Sequence, residues 1–134
     1  MIRVAITAVV LTAALVSGGS TAQTQQSASE ARAEARLEKA LAGLTPGKPQ
    51  HCIDRDRVTS VKTFPDVIVY VQGRNKVWRN DTNGGCSGLK RDDIIVSRSP
   101  LGQYCSGDII ETRSRSGGFS TGACSLGDFV PYTK

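Results

Sequence analysis

The sequence predicts a mainly β fold: a small antiparallel barrel or sandwich of five to seven short strands. Two disulfides staple it, and a helical arm precedes it. Three observations predict this. Short β-branched runs recur between Gly, Asn and Ser turn residues from Val58 onward. All four cysteines, Cys52, Cys86, Cys105 and Cys124, fall in or just before that region. Only residues 27–44 carry the apolar spacing of an amphipathic helix. The chain has 134 residues, with 17 Lys+Arg against 12 Asp+Glu and a net charge of +5. That length suits one small domain and excludes large multidomain enzymes, coiled-coil rods and multi-span membrane proteins.

Residues 1–22 read as a secretory signal peptide. Arg3 is the basic n-region, and Val4 to Val16 is an apolar run broken only by Thr7 and Thr12. Small residues follow, with Ser20 and Ala22 at the −3 and −1 positions of a cleavage site before Gln23. The run is too short to span a bilayer of roughly 30 Å as a helix. No cysteine follows it to carry a lipid. The expected mature chain begins at Gln23, has 16 basic against 12 acidic residues, and has no transmembrane anchor. It is expected to be periplasmic or secreted.

In an oxidising compartment four cysteines imply two disulfides. Three pairings are open, and chain entropy separates them by less than about 1 kcal/mol. We favour Cys52–Cys124 with Cys86–Cys105 nested inside, because that ties both ends of the domain. The cysteine spacings are 34, 19 and 19, so no close ligand pair exists. His51 is the only histidine. Neither a metal site nor a cofactor is expected.

The helical arm begins with Ser27 and Glu30 in capping-box spacing. Ala33, Leu37, Ala40, Leu41 and Leu44 share one face, and Thr45-Pro46-Gly47 ends it. Glu30, Glu34 and Glu38 repel along one row, and Arg32 and Arg36 along another. The helix therefore has to dock through its narrow Leu stripe, or it frays. Residues 23–49 are read as arm and linker, and residues 50–134 as the β body.

In the body, Val58 to Lys62 is a first strand, and Val67 to Val71 is the strongest one. Gln72-Gly73-Arg74-Asn75 turns the chain into Lys76-Val77-Trp78-Arg79, forming a hairpin. Ile94 to Val96 and Ile109 to Glu111 follow. Phe119 to Ala123 and Phe129-Val130 are expected as edge strands, with Pro131 ending the ladder. Cys86, Cys105 and Cys124 recur every 19 residues, each followed by Ser and then by Asp before two apolar residues. The gaps from Cys to Asp differ, so reuse of turn residues explains this better than a repeat.

One set of segments is distinctive: Cys52-Ile53, Lys76-Val77-Trp78-Arg79-Asn80, Gly85-Cys86-Ser87-Gly88-Leu89, Tyr104-Cys105-Ser106-Gly107-Asp108-Ile109, and 122–131 around Cys124. It resembles a family of small exported proteins of Gram-negative bacteria, catalogued as a domain of unknown function. The resemblance covers about 50–132. It implies an envelope setting and structural cysteines, and no activity. Ser87 stands where that pattern has Pro.

No catalytic residues are expected. His51 and Cys52 are adjacent, and neighbours on a strand point to opposite faces. Asp92-Asp93 is a candidate acid pair, read first as a solvated turn beside Lys90-Arg91. Asn80-Asp81-Thr82 matches a glycosylation sequon, relevant only to a eukaryotic source. The positive charge points to an acidic partner. Arg74, Lys76, Trp78 and Arg79 on the hairpin are the candidate ligand contacts, and Arg113 and Arg115 lie on another turn. Nucleic acid is disfavoured by export and by 5% aromatics. The expected function is a non-catalytic binding or interaction module of the cell envelope, taking an anionic envelope component or another envelope protein. The alternatives are a secreted hydrolase inhibitor, projecting Thr82–Leu89 or Ser97–Tyr104, and an enzyme using Asp92 and Asp93.

Overall fold

The computed structural model describes residues 21–99 and 101–134, with side chains described from Ala28 onward. Residues 1–20 of the expected signal peptide lie outside the described residues, and the expected cleavage before Gln23 falls in the first turn of the helix that begins at Thr21. Among the described residues no helix is long and apolar enough to cross a membrane.

Helix α1 runs Thr21–Leu41. It passes straight through Ser27, so the expected capping box has no helix start to cap. The Ala and Gln of 22–28 are good helix formers and carry it further back. Gly43 adopts φ 73° just past the end, a conformation that suits glycine, and Leu44 lies beyond the helix. The like-charged rows are offset by docking. Leu37 and Ala40, like Val77, pack on Phe64, Val67 and Val69, Arg36 sits 5.8 Å over the Phe64 ring, and Glu30 reaches Lys90 at 3.9 Å. The arm is thus part of the fold.

Among the described residues ten strands follow: β1 Thr45–Pro46, β2 Cys52–Asp54, β3 Ser60–Phe64, β4 Val67–Val71, β5 Lys76–Asp81, β6 Ile94–Ser97, β7 Gln103–Cys105, β8 Ile109–Arg113, β9 Ser120–Ser125 and β10 Phe129–Thr133. They form a five-stranded sheet in the order β1-β10-β5-β4-β3, a three-stranded sheet β6-β8-β9, and the pair β2-β7. All pairings are antiparallel, and the sheets do not close into a barrel. The architecture is a sandwich. The strand count exceeds the expected seven because β1, β2 and β7 are only two or three residues long, too short to show alternation.

Alternation along β4 and its neighbours builds two cores. Ile68, Tyr70, Trp78 and Phe129 face inward against Ile110, Leu89, Leu126 and the buried disulfide. Val67, Val69 and Phe64 face the helix. The β4–β5 hairpin forms as expected, with Gly73 at φ 71° in its turn. Two expectations about β10 fail. It lies inside its sheet, between β1 and β5, and Pro131 sits within it opposite Trp78. The Pro131 carbonyl accepts from the Gly47 amide at 2.7 Å, so that residue's hydrogen-bonding side faces away from β5. The missing N–H therefore removes no bond from the β10–β5 ladder.

The disulfides are Cys52–Cys105 and Cys86–Cys124, which overturns the nested pairing Cys52–Cys124 and Cys86–Cys105. Strand pairing decides the first: Cys52 and Cys105 are directly opposed in β2–β7. The second ties the 3-10 helix Ser87–Arg91 to β9. The two surviving sequence separations, 53 and 38, cost nearly the same closure entropy as the nested pair. The 19-residue spacing is no repeat either. Cys86 precedes a 3-10 helix, Cys105 ends β7, and Cys124 lies within β9. Ser87 has its own role here, its hydroxyl donating to the Thr121 carbonyl at 2.7 Å.

A candidate anion-binding basin beside an inter-sheet cleft

The structure divides the expected contact set Arg74, Lys76, Trp78 and Arg79. Trp78 is buried at 5% exposure and belongs to the core. Its indole N–H donates to Gln72 Oε1 at 2.9 Å, and the Lys76 ammonium covers its ring at 4.2 Å. Such a ring offers no stacking platform. Arg79 points to the opposite face of β5 and grips Asp81 through Nε and Nη2, a bond that holds its guanidinium further up. Arg74 is exposed in the turn. Alternation on β5 was the signal that separates Trp78 from Arg79.

Cations converge elsewhere. The last turns of α1 bring Arg36 and Lys39 beside Lys62 of edge strand β3. They line a basin of about 540 Å³ with Ala40, Phe64 and Asp92. The placement follows from periodicity. Leu37 and Ala40 must face the sheet, so Arg36 and Lys39 flank them on the β3 side. Lys62 stands opposite Val69, on the helix-bearing face. Among the described residues no ion pair engages Arg36, Lys39 or Lys62. Asp92, the basin's one acid, is already held. Thr63 Oγ1 donates to its Oδ1 at 2.7 Å, and Arg115 Nη2 lies 3.4 Å from its Oδ2. Arg115 Nε also donates to the Asp92 carbonyl at 2.6 Å. The basin is therefore a locally positive surface. Sequence reasoning missed it because Lys62 lies more than twenty residues from Arg36 and Lys39, and only docking joins them.

The basin meets a second cavity at Val61, Thr63 and Asp92. This cleft, about 470 Å³, opens between β3 of the large sheet and β6 of the small one. Tyr70 and Tyr104 line it, their rings 5.2 Å apart. Burial pushes the Tyr70 phenol well up, and Tyr104 and Asp108 add to the effect. The acid pair Asp92 and Asp93 does share this cleft, and each carboxylate has an arginine: Arg115 for Asp92, and Arg91 at 3.2 Å for the nearly buried Asp93.

Neither a protein-family model nor a curated protein nor a solved structure matches this chain. The site therefore has to be read from its own chemistry.

The remaining candidates are placed as follows. His51 is exposed, 4.0 Å from Asp128, and its neighbour Cys52 is in a disulfide, so the two cannot act as a nucleophile and base. Asn80 is fully buried, so this fold has no room for a glycan on its side chain. Its amide N–H donates to the Gly127 carbonyl at 2.6 Å, and its Oδ1 accepts from the Gly127 amide at 3.1 Å. The loop Thr82–Leu89 does not project, because Asn83 bridges to Ser125, and Cys86 and Leu89 are buried. The segment between β6 and β7 does present an apolar side chain, Leu101, at 82% exposure. Arg113 turns to Glu111 at 3.4 Å.

Proposed function

We propose that this protein is an exported, non-catalytic binding module of a Gram-negative cell envelope, and that it captures an anionic envelope component in the α1–β3 basin. One observation carries the reading: Arg36, Lys39 and Lys62 converge there without ion-pair partners among the described residues. Unpaired cations on a disulfide-braced scaffold attract phosphate or carboxylate groups at little reorganisation cost. Export rests on the n-region, apolar run and small residues of 1–22, with cleavage near Ala22. The two disulfides suit a compartment outside the cytoplasm. The envelope setting rests on the resemblance of residues 50–132 to the exported family named above. A second reading is an enzyme using Asp92 and Asp93, favoured by their common cleft.

The test is binding of the oxidised mature chain to phosphatidylglycerol vesicles across a salt series. Binding is expected to weaken steeply with salt. At low salt the variant R36Q/K39Q/K62Q should lose roughly 100-fold, from about 1 kcal/mol for each cation near an anionic surface. The variant R74Q/K76Q should bind as the parent does. Equal binding to phosphatidylcholine vesicles, or an unaffected triple variant, would overturn the reading.

A further inference from the structure

The inter-sheet cleft holds hydrogen-bonding groups that the fold does not use. Register places its walls. Val61 and Thr63 of β3 stand opposite Tyr70 and Ile68, so they share the inward face of the large sheet. Ile95 and Ser97 of β6 stand opposite the buried Thr112 and Ile110, so they share the inward face of the small one. Three hydroxyls line the cleft without a hydrogen bond among the described residues: those of Tyr70, which is 2% exposed, of Tyr104 and of Ser97. A buried hydroxyl without a partner is uncommon in a folded protein, because it is costly. Burial raises the Tyr70 pKa, so that phenol stays an O–H donor. The charges of the cleft are already paired, Asp92 with Arg115 and Asp93 with Arg91. What the cleft lacks is therefore neutral hydrogen-bonding groups, beside apolar Val61, Ile94 and Val96. Its volume of about 470 Å³ lies in the range of small-molecule sites.

We propose that the cleft receives the sugar of a sugar phosphate whose phosphate sits in the α1–β3 basin. This rests on the reading of the basin given above and names the class of its ligand. The two cavities share Val61, Thr63 and Asp92, so one ligand reaches both around the free edge of β3. Arg36, Lys39 and Lys62 have no ion pair among the described residues. Three such cations suit a phosphate monoester, with more than one negative charge and three acceptor oxygens, better than a single carboxylate. The rival occupant of the cleft is an acyl chain. It would seal the three hydroxyls from water without giving them partners. Sugar hydroxyls both donate and accept, so they satisfy Tyr70, Tyr104 and Ser97 together. The C–H groups of the ring then pack on the apolar wall.

Calorimetric titration of the oxidised mature chain at low salt tests this, with trehalose 6-phosphate, inorganic phosphate and octyl phosphate as probes. Trehalose 6-phosphate is expected to bind roughly tenfold more tightly than inorganic phosphate, and more tightly than octyl phosphate. Tyr70→Phe and Ser97→Ala should each weaken it about fivefold and leave inorganic phosphate unchanged. Each substitution removes only an unpartnered hydroxyl, and unchanged melting would report a native fold. The comparison of the three probes on the parent chain needs no variant. R36Q/K39Q/K62Q should lose both trehalose 6-phosphate and inorganic phosphate. Inorganic phosphate bound as tightly as the sugar phosphate, a preference for octyl phosphate, or sugar-phosphate binding indifferent to both hydroxyl variants would overturn this inference and leave the basin reading standing. No binding of any phosphate by the parent chain would overturn both.

Discussion

Replacing Cys86 and Cys124 by alanine is expected to destabilise the oxidised protein by about 4 kcal/mol, from loop-closure entropy alone. For a small domain that is a large share of its total stability. The cost should exceed that of the C52A/C105A double variant, although that bridge closes the longer loop. The reason is packing. Cys86 is fully buried and Cys124 nearly so, both within the main core, and two alanines there leave a cavity. Cys52 and Cys105 are half-exposed on a three-residue strand pair. Urea unfolding of the two double variants measures the difference. Equal costs, or a larger one for C52A/C105A, would show that burial of the bridge contributes nothing.

The second large effect is expected at Asn80. Its side chain is fully buried and clamps Gly127 from both sides, accepting from its amide and donating to its carbonyl. Alanine would leave both groups buried without partners, at about 3 kcal/mol in total. Aspartate should be at least as damaging, since a carboxylate cannot donate to the Gly127 carbonyl. Alanine at Asn75, in the exposed β4–β5 turn, should change little. Denaturant midpoints of N80A, N80D and N75A check this. A near-neutral N80A would mean that water replaces the lost partners.

Much of the fold was legible where side chains alternate over four or more residues. Val67–Val71 forms β4 at its expected bounds, and the Gly73 turn delivers the hairpin. The two-layer β architecture follows from such runs. What was hidden depends on contacts distant in sequence. Strands β1, β2 and β7 exist because longer neighbours pair with them, and so the cysteine pairing was hidden as well. Closure entropy varies only with the logarithm of loop length, too weakly to rank the three pairings. Pro131 misled because a proline breaks a ladder only when its nitrogen faces the neighbouring strand. The candidate site was least legible. Arg74, Lys76, Trp78 and Arg79 are adjacent in sequence, yet burial of Trp78 and the opposite facing of Arg79 disperse them. Arg36, Lys39 and Lys62 share no local motif, and they meet only because the Leu37 stripe docks α1 against the large sheet.

The most direct test of that site is a nuclear magnetic resonance titration of the oxidised mature chain with a soluble short-chain phosphatidylglycerol. Binding in the basin predicts amide shifts concentrated at Arg36, Lys39, Lys62, Thr63 and Asp92, lost at high salt. Shifts confined to the Arg74–Arg79 hairpin, or none anywhere at low salt, would contradict the assignment of the α1–β3 basin as the binding site.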